Sequence, residues 1–264
     1  MKIVMNPAFL PLTDFINGIP QHRYAVDKVF CNHRNTVELT RYQGVDLVVK
    51  RFKRPTLANC FVYTFLRKSK CRRAYENAFR LREKGVATAP PVAYMEKKKY
   101  GLFHTGWYIS GYLPYPTLDE EYHRQDATGR DGLAWAAMDY LMSLFQKGIV
   151  NRDNNSSNIL AFRENGNWQF ALVDINRITW RRPGFLGKIR ALAQLRACPS
   201  DLVRYMPFFA DRNHVALDKC FLILLLEKRR RERIHQIKCR LKSILRSLGV
   251  IENKNPHESK LISL

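Results

Sequence analysis

Five polar side chains in the sequence have the chemical types that phosphoryl transfer requires, and they follow one another in a set order. They are Lys50, Glu76, Asp153, Asn158 and Asp174. Such a reaction needs a cation on the nucleotide phosphates, a carboxylate that holds this cation, a base for the acceptor hydroxyl, and oxygen ligands for Mg²⁺. Each residue alone is typical of a charged surface or a turn. The five together predict a kinase site.

The spacing of one polar loop is the strongest signal. The loop reads NRDNNSSN at 151–158, so Asp153 and Asn158 are spaced as in the catalytic-loop pattern H-R-D-x-x-x-x-N. A hydrophobic segment, WQFALV at 168–173, then ends in Asp174-Ile175-Asn176, where a kinase carries D-F-G. The two motifs therefore predict a general base and a metal ligand in the expected order.

Two strands must position Lys50. The pattern predicts strands for NTVELTRY at 35–42 and VDLVVKRF at 45–52, joined by a turn at Gln43-Gly44. Because side chains alternate along a strand, Lys50 is expected to point to the face opposite Val49.

A helix must position Glu76. We predict that it begins after Ser69 as its cap and stops at Gly85. Another helix, with apolar residues at 133–145, is predicted to end at Lys147-Gly148, and everything beyond 187 is predicted to be helical. A mostly β first part and a mostly α second part indicate two lobes, joined near 110–116.

Five short segments together resemble a known family. They are VVKRF at 48–52, RAYENA at 73–78, GVAT at 85–88, DNNSSNIL at 153–160 and VDINR at 173–177. These segments resemble the lipopolysaccharide kinases, the protein-kinase-like Kdo and heptose kinases of the lipopolysaccharide inner core of Gram-negative bacteria. The resemblance implies an α+β, two-lobed protein-kinase-like fold. Its small β-rich N-lobe would span 1–112 and its larger helical C-lobe 113–264.

The resemblance also implies an activity and a role for each polar residue. The activity would be ATP-dependent, Mg²⁺-requiring transfer of the γ-phosphate to a sugar hydroxyl, with Kdo on lipid A as the favoured acceptor. Lys50 would hold the α- and β-phosphates, and Glu76 would orient Lys50. Asp153 would accept the proton of the acceptor, while Asn158 and Asp174 would bind Mg²⁺.

Two further expectations concern ligand contacts. The resemblance implies that adenine lies against the backbone of the lobe junction, at Ile109, Gly111 and Leu113. The charge and location of the basic cluster at 177–196 suggest that it contacts the acceptor.

The sequence departs from the family pattern in the loops rather than in the charged groups. Asn151 replaces the usual loop histidine, Asn154 an apolar residue, and Asn176 the glycine of D-F-G. No G-x-G-x-x-G is present, and residues 34–44, with a single glycine, are expected to take its place over the phosphates.

The composition excludes several other classes of protein. Among 264 residues, 45 Lys and Arg stand against 23 Asp and Glu, giving a net charge of +22, and 46% of residues are hydrophobic. The chain is therefore expected to fold and to attract polyanions. It carries no nucleic-acid-binding signature, so we expect no specific nucleic-acid partner. The scattered cysteines, the poor secretory signal and the short apolar runs indicate a cytoplasmic protein.

A basic helix near the carboxyl end leaves two interpretations open. Apolar residues recur at helical spacing among Lys and Arg from 220 to 248. Such a helix either packs between elements with its charged face in water, or lies on an anionic leaflet. The second interpretation would place the protein peripherally on the cytoplasmic face of the inner membrane, near an anionic lipid-linked saccharide acceptor.

Two alternatives to the sugar kinase also stay open. One is a kinase of the same fold that acts on another small molecule or on protein. The other is a non-catalytic, kinase-like anion-binding scaffold. In that case Asn151 and Asn176 would indicate that catalytic activity has been lost.

Overall fold

The computed structural model describes residues 1–32, 35–195 and 199–247. Its first part is a six-stranded antiparallel sheet in the order β1-β5-β6-β4-β3-β2. The strands are β1 (Lys2–Met5), β2 (Lys28–Asn32), β3 (Asn35–Tyr42), β4 (Val45–Phe52), β5 (Pro91–Lys99) and β6 (Leu102–Gly111). Because β4 lies between β3 and β6, hydrogen bonds from both sides fix the strand that carries Lys50.

The hairpin between β3 and β4 confirms the predicted turn and strand register. Gln43 and Gly44 both have positive φ angles, 49° and 78°, as a two-residue hairpin turn that follows the twist of its strands requires. Val49 is fully buried on one face of β4, and Lys50 points to the other face, as predicted.

Three helices accompany the sheet: α1 (Thr13–Gly18), α2 (Leu57–Phe61) and α3 (Lys70–Glu83). The predicted limits of α3 are confirmed, because the Ser69 hydroxyl accepts a hydrogen bond from the Arg72 N–H at 3.2 Å and Gly85 has a φ of +64°. No helix or strand is predicted for 1–21, yet Phe15 and Ile16 of α1 cover one face of the sheet.

The second part of the chain is mainly helical. Its helices are α4 (Leu118–Arg124), α5 (Ala127–Gln146), α6 (Phe185–Leu192), α7 (Pro199–Arg212) and α8 (Leu217–Ser247). The predicted end of α5 is confirmed, since Gly148 follows it with a φ of +73°. Helices occupy most of the described chain beyond 187, as predicted, while 196–198 and 248–264 lie outside the described residues.

Two small antiparallel pairs of strands hold the loops of this second part. One pair joins β7 (Ile149–Asn151) to β10 (Ile178–Trp180), and the other joins β8 (Ile159–Glu164) to β9 (Asn167–Leu172). The loop at 152–158 thus starts at the end of β7 and finishes at the start of β8. Asp174 lies two residues after β9, so both motifs reach the same region.

One continuous apolar cluster connects the sheet with the helical part. It includes Phe52 and Tyr75 from the first part and Leu141, Ile159 and Phe209 from the second. Burial of side chains of this size contributes about 1.5–3 kcal/mol each, so the cluster holds the two parts together behind the site. Among the described helices, none is both long and apolar enough to cross a membrane.

Candidate active site

A cleft of about 780 Å³ lies between the sheet and the helical part. Its walls come from β2, β3, β4 and β6 on one side, and from the 152–158 loop and the segment after β9 on the other. Lys50, Asn158 and Asp174 all line it. Three of the five residues predicted to form the site therefore meet in one cleft.

The centre of the cleft is an ion pair between Lys50 and Asp174. Lys50 Nζ lies 2.6 Å from Asp174 Oδ1, and the two side chains are only 13% and 29% exposed. Asp174 adopts a left-handed backbone, φ 50° and ψ 51°, a conformation that Asp tolerates better than most residues. The Asn176 amide also donates to Asp174 Oδ1. The residue in the glycine position of D-F-G therefore helps to hold the carboxylate.

The polar loop is closed by its own amide side chains. Asn158 Nδ2 donates to the Asp153 carbonyl at 2.9 Å, and the Asp153 N–H donates to Asn151 Oδ1 at 3.1 Å. These bonds fix the main chain of Asp153 and leave its carboxylate half exposed, with Arg177 Nη1 3.4 Å from Oδ2. Asn151 thus orders the loop in the place of the usual histidine.

Asn154 anchors the same loop to α6. It is buried, its N–H donates to Gln194 Oε1 at 3.0 Å, and its Nδ2 donates to the Ala191 carbonyl at 3.1 Å. A buried amide with partners on both sides is stable where an unpaired one would be costly. Asn154, which replaces an apolar residue of the family pattern, therefore attaches the loop to α6 through hydrogen bonds.

The pairing expected between Glu76 and Lys50 is wrong in this structure. Glu76 binds Lys68 and Arg72, each at 2.8 Å, while Lys50 pairs with Asp174. An α-helix turns by about 100° per residue, and it is Asn77 that α3 directs at the segment after Asp174. Glu76 consequently lies on a neighbouring face of the helix.

The residues expected around adenine divide into two groups. Gly111 and Leu113 line the cleft, and a Cβ on Gly111 would come within 2.9 Å of Pro90 Cγ. Ile109, whose backbone is expected to contact adenine, has its side chain fully buried in the apolar cluster beneath the sheet. Because side chains alternate along β6, Ser110 and Tyr108 line the cleft instead.

Residues 34–44, which are expected to lie over the phosphates, contribute Asn35 and Val37 to the lining of the cleft. Most of that segment is strand β3, and its glycine lies in the turn to β4. Strand β2 lines the cleft beside β3, through Phe30 and Cys31. Residue 34 lies outside the described residues.

Comparison with solved structures identifies the architecture. The chain superposes on WaaP, a lipopolysaccharide core heptose kinase solved in complex with acyl carrier protein, with a TM-score of 0.59 at 17% identity, covering 88% of this chain and 99% of that one. The chain has a kinase fold. It also matches WbdD, solved with a kinase inhibitor, with a TM-score of 0.45 at 12% identity, covering 77% of this chain and 45% of that one. No family model and no curated protein matches the sequence.

The α+β, two-lobed kinase fold predicted from the sequence is thus confirmed. Within this kinase fold, one buried contact that supports the site, made by Asn77, is not predicted from the sequence. Asn77 Nδ2 donates to the Ile175 carbonyl at 2.7 Å, and Asn77 Oδ1 accepts from Trp180 Nε1 at 3.0 Å. The position of Asn77 among apolar residues of α3, near Ala74 and Ala78, could have indicated a buried polar contact.

Replacing Asn77 by alanine is expected to destabilise the kinase fold by about 1–3 kcal/mol. The substitution leaves the Ile175 carbonyl and the Trp180 indole without their partner and frees the turn that holds Asp174. Urea unfolding of the purified protein measures the change. Glu83→Ala, an exposed position on the same helix, is the control, and equal stability of the two variants would contradict the positioning role of Asn77.

Proposed function

We propose that this protein is an ATP-dependent sugar kinase that phosphorylates a hydroxyl of a lipopolysaccharide inner-core sugar, with Kdo on lipid A as its acceptor. The observation that carries the proposal is the Lys50–Asp174 ion pair inside a cleft of a kinase fold. Residues distant in sequence converge there, in a chain whose loop at 151–158 has catalytic spacing. We further propose an N-lobe of 1–112 and a C-lobe of 113–264.

The proposed roles follow from charge and position. Lys50 neutralises the α- and β-phosphates, and before nucleotide binds, Asp174 rather than Glu76 is the carboxylate that holds Lys50 in the cleft. The half-exposed Asp153 takes the hydroxyl proton as the acceptor oxygen bonds to the γ-phosphorus. The bond between the γ-phosphorus and the bridging oxygen breaks, and ADP leaves with that electron pair.

The donors in the cleft fit Mg²⁺. This ion prefers oxygen ligands and is commonly held by one or two protein groups together with substrate phosphates. Asp174 supplies a carboxylate, and Asn158, whose Nδ2 is used by the Asp153 carbonyl, supplies its side-chain oxygen. When bound, the metal would neutralise charge on the triphosphate. The Lys50 contact would then exchange from Asp174 to the phosphates.

The carboxyl-terminal helix supports an anionic, membrane-held acceptor. Cys220 and Leu224 of α8 are buried, so its first turns pack on the protein. Ile237, Leu241 and Ile244 are each more than half exposed and lie among Lys and Arg. A basic helix with an open apolar face can bind an anionic bilayer surface, which would place the protein peripherally on the inner membrane.

Sedimentation with vesicles tests this membrane contact. We expect the protein to sediment with vesicles containing anionic lipid at low salt and to be released at high salt, because the Debye length falls from about 30 Å at 0.01 M to about 3 Å at 1 M. The double variant Ile237→Ser, Leu241→Ser should bind more weakly while folding normally. Vesicles of neutral lipid are the control, and the absence of binding at low salt would overturn the proposal.

Phosphate transfer from labelled ATP tests the function itself. Purified protein is incubated with Mg²⁺ and Kdo-linked lipid A, and the labelled product is identified by its mass increase of one phosphate. Transfer to this acceptor, and not to lipid A lacking Kdo, is the expected result. Transfer to another small molecule or to protein would show that the protein is a kinase with a different acceptor. Nucleotide binding without any phosphate transfer would favour the non-catalytic, kinase-like scaffold.

A further inference from the structure

Four cations lie near Asp153, near Asp174 or near Arg177. We call Lys70, Arg73, Arg177 and Arg231 the basic cluster. They come from the first turn of α3, from the segment after Asp174, and from α8, so the fold gathers positive charge from three separate elements. Arg177 reaches Asp153 at 3.4 Å.

Among the described residues, neither Lys70 nor Arg73 forms an ion pair with a carboxylate, and Arg73 Nε donates only a long bond, 3.4 Å, to the Ser69 carbonyl. The acid on the same helix, Glu76, is engaged by Lys68 and Arg72. Partial burial and the nearby Arg177 and Arg73 lower the pKa of Lys70. Asp174 opposes this shift from nearby without forming an ion pair with Lys70, so like charges are held close together with only partial compensation.

Arg231 of α8 lies within electrostatic range of Asp153. Its Nε is buried and has no hydrogen-bond partner among the described atoms. Burial and the adjacent Arg230 lower its pKa, while Glu227 and Asp153 oppose that shift. An unpaired guanidinium nitrogen near the candidate base is suited to an anionic ligand.

We propose that the basic cluster is the anion subsite of the acceptor, which binds the carboxylate or phosphate group of the sugar whose hydroxyl faces Asp153. This inference rests on the proposed function. The nucleotide phosphates already have Lys50, whereas Arg177 and Arg231 lie beside Asp153, where the acceptor hydroxyl must be. The subsite would restrict the enzyme to sugars that carry an anion close to the reacting hydroxyl. The subsite assigns the main acceptor contacts to α3 as well as to Arg177, whereas the sequence predicted them in the cluster at 177–196.

Steady-state kinetics of Lys70→Gln and Arg73→Gln test the subsite. The acceptors are Kdo-linked lipid A and the methyl ester of its Kdo carboxylate. We expect KM for the charged acceptor to rise about 10-fold in each variant, the size of one lost charge-assisted contact, with KM for ATP within about twofold. If the cluster binds the carboxylate, the ester should bind wild type and variants equally weakly; if it binds a phosphate, the ester should behave like the charged acceptor in every variant. Arg72→Gln, which removes the same charge on the Glu76 side of α3, is the control.

The outcomes separate the subsite from the proposed function. An unchanged acceptor KM in both variants overturns the subsite, and a raised KM for ATP instead assigns the cluster to the triphosphate. If wild type transfers no phosphate, the proposed function fails, and equilibrium binding of Kdo-linked lipid A then decides the subsite. Weaker binding by Arg73→Gln than by Arg72→Gln supports it, and equal binding overturns it. Thermal unfolding of each variant confirms that it is folded.

Discussion

Replacing Asp153 by asparagine is expected to lower kcat by about 10²- to 10⁴-fold, because the acceptor hydroxyl loses the base that takes its proton. The fold should be almost unaffected. The contacts of Asp153 with Asn151 and Asn158 use main-chain atoms, and its carboxylate is half exposed. KM for ATP should therefore stay close to the wild-type value.

Asp139→Asn is a matched control for this substitution. Asp139 is also about half exposed, and Arg212 lies 3.3 Å from it, so this variant loses a similar surface pair whose members do not line the cleft. Single-turnover transfer of labelled phosphate measures both variants. Activity of Asp153→Asn within a few-fold of Asp139→Asn would rule out Asp153 as the base.

The second large effect is expected for Lys50→Met. Methionine keeps most of the aliphatic volume and removes the charge, so we expect kcat to fall by about 10²- to 10³-fold, the effect of losing one preorganised charged contact, and KM for ATP to rise. Asp174 retains the Asn176 amide, which should preserve its backbone. Nucleotide binding by titration and turnover with Kdo-linked lipid A measure the two effects.

Lys68→Met and Glu76→Gln complete this comparison. Both change the ion pair of Lys68 with Glu76, which lies outside the cleft, and both should leave turnover within a few-fold of wild type. If Glu76→Gln lost activity as severely as Lys50→Met, the carboxylate that orients Lys50 would be Glu76 after all, as the family resemblance implies.

The sequence predicted features that depend on neighbours along the chain. The Ser69 cap, the glycine after α3 and the turn at Gln43-Gly44 follow from local hydrogen bonds and backbone angles. The alternation in β4 likewise fixes that Lys50 and Val49 point to opposite faces. Such features are decided within a few residues, and the structure has all of them.

Other features depend on how the helices and strands pack against one another in the folded protein. The rotation of α3 about its axis decides that Asn77, and not Glu76, faces Ile175. The packing of α1 beneath the sheet decides that Ile109 faces away from the cleft. Helical periodicity does not distinguish Asn77 from Glu76 as the residue that faces Ile175. Strand alternation likewise does not tell which face of β6 lies towards the cleft.

By itself, the sequence determined the kinase-like order of polar residues and the spacing of Asp153 and Asn158, because catalytic spacing within one loop is a property of the chain. Only the tertiary structure decided that Lys50 pairs with Asp174 and that Lys70 and Arg73 share a face near Arg177. Those relations join residues many positions apart, and the packing of the sheet against the helical part fixes their distances.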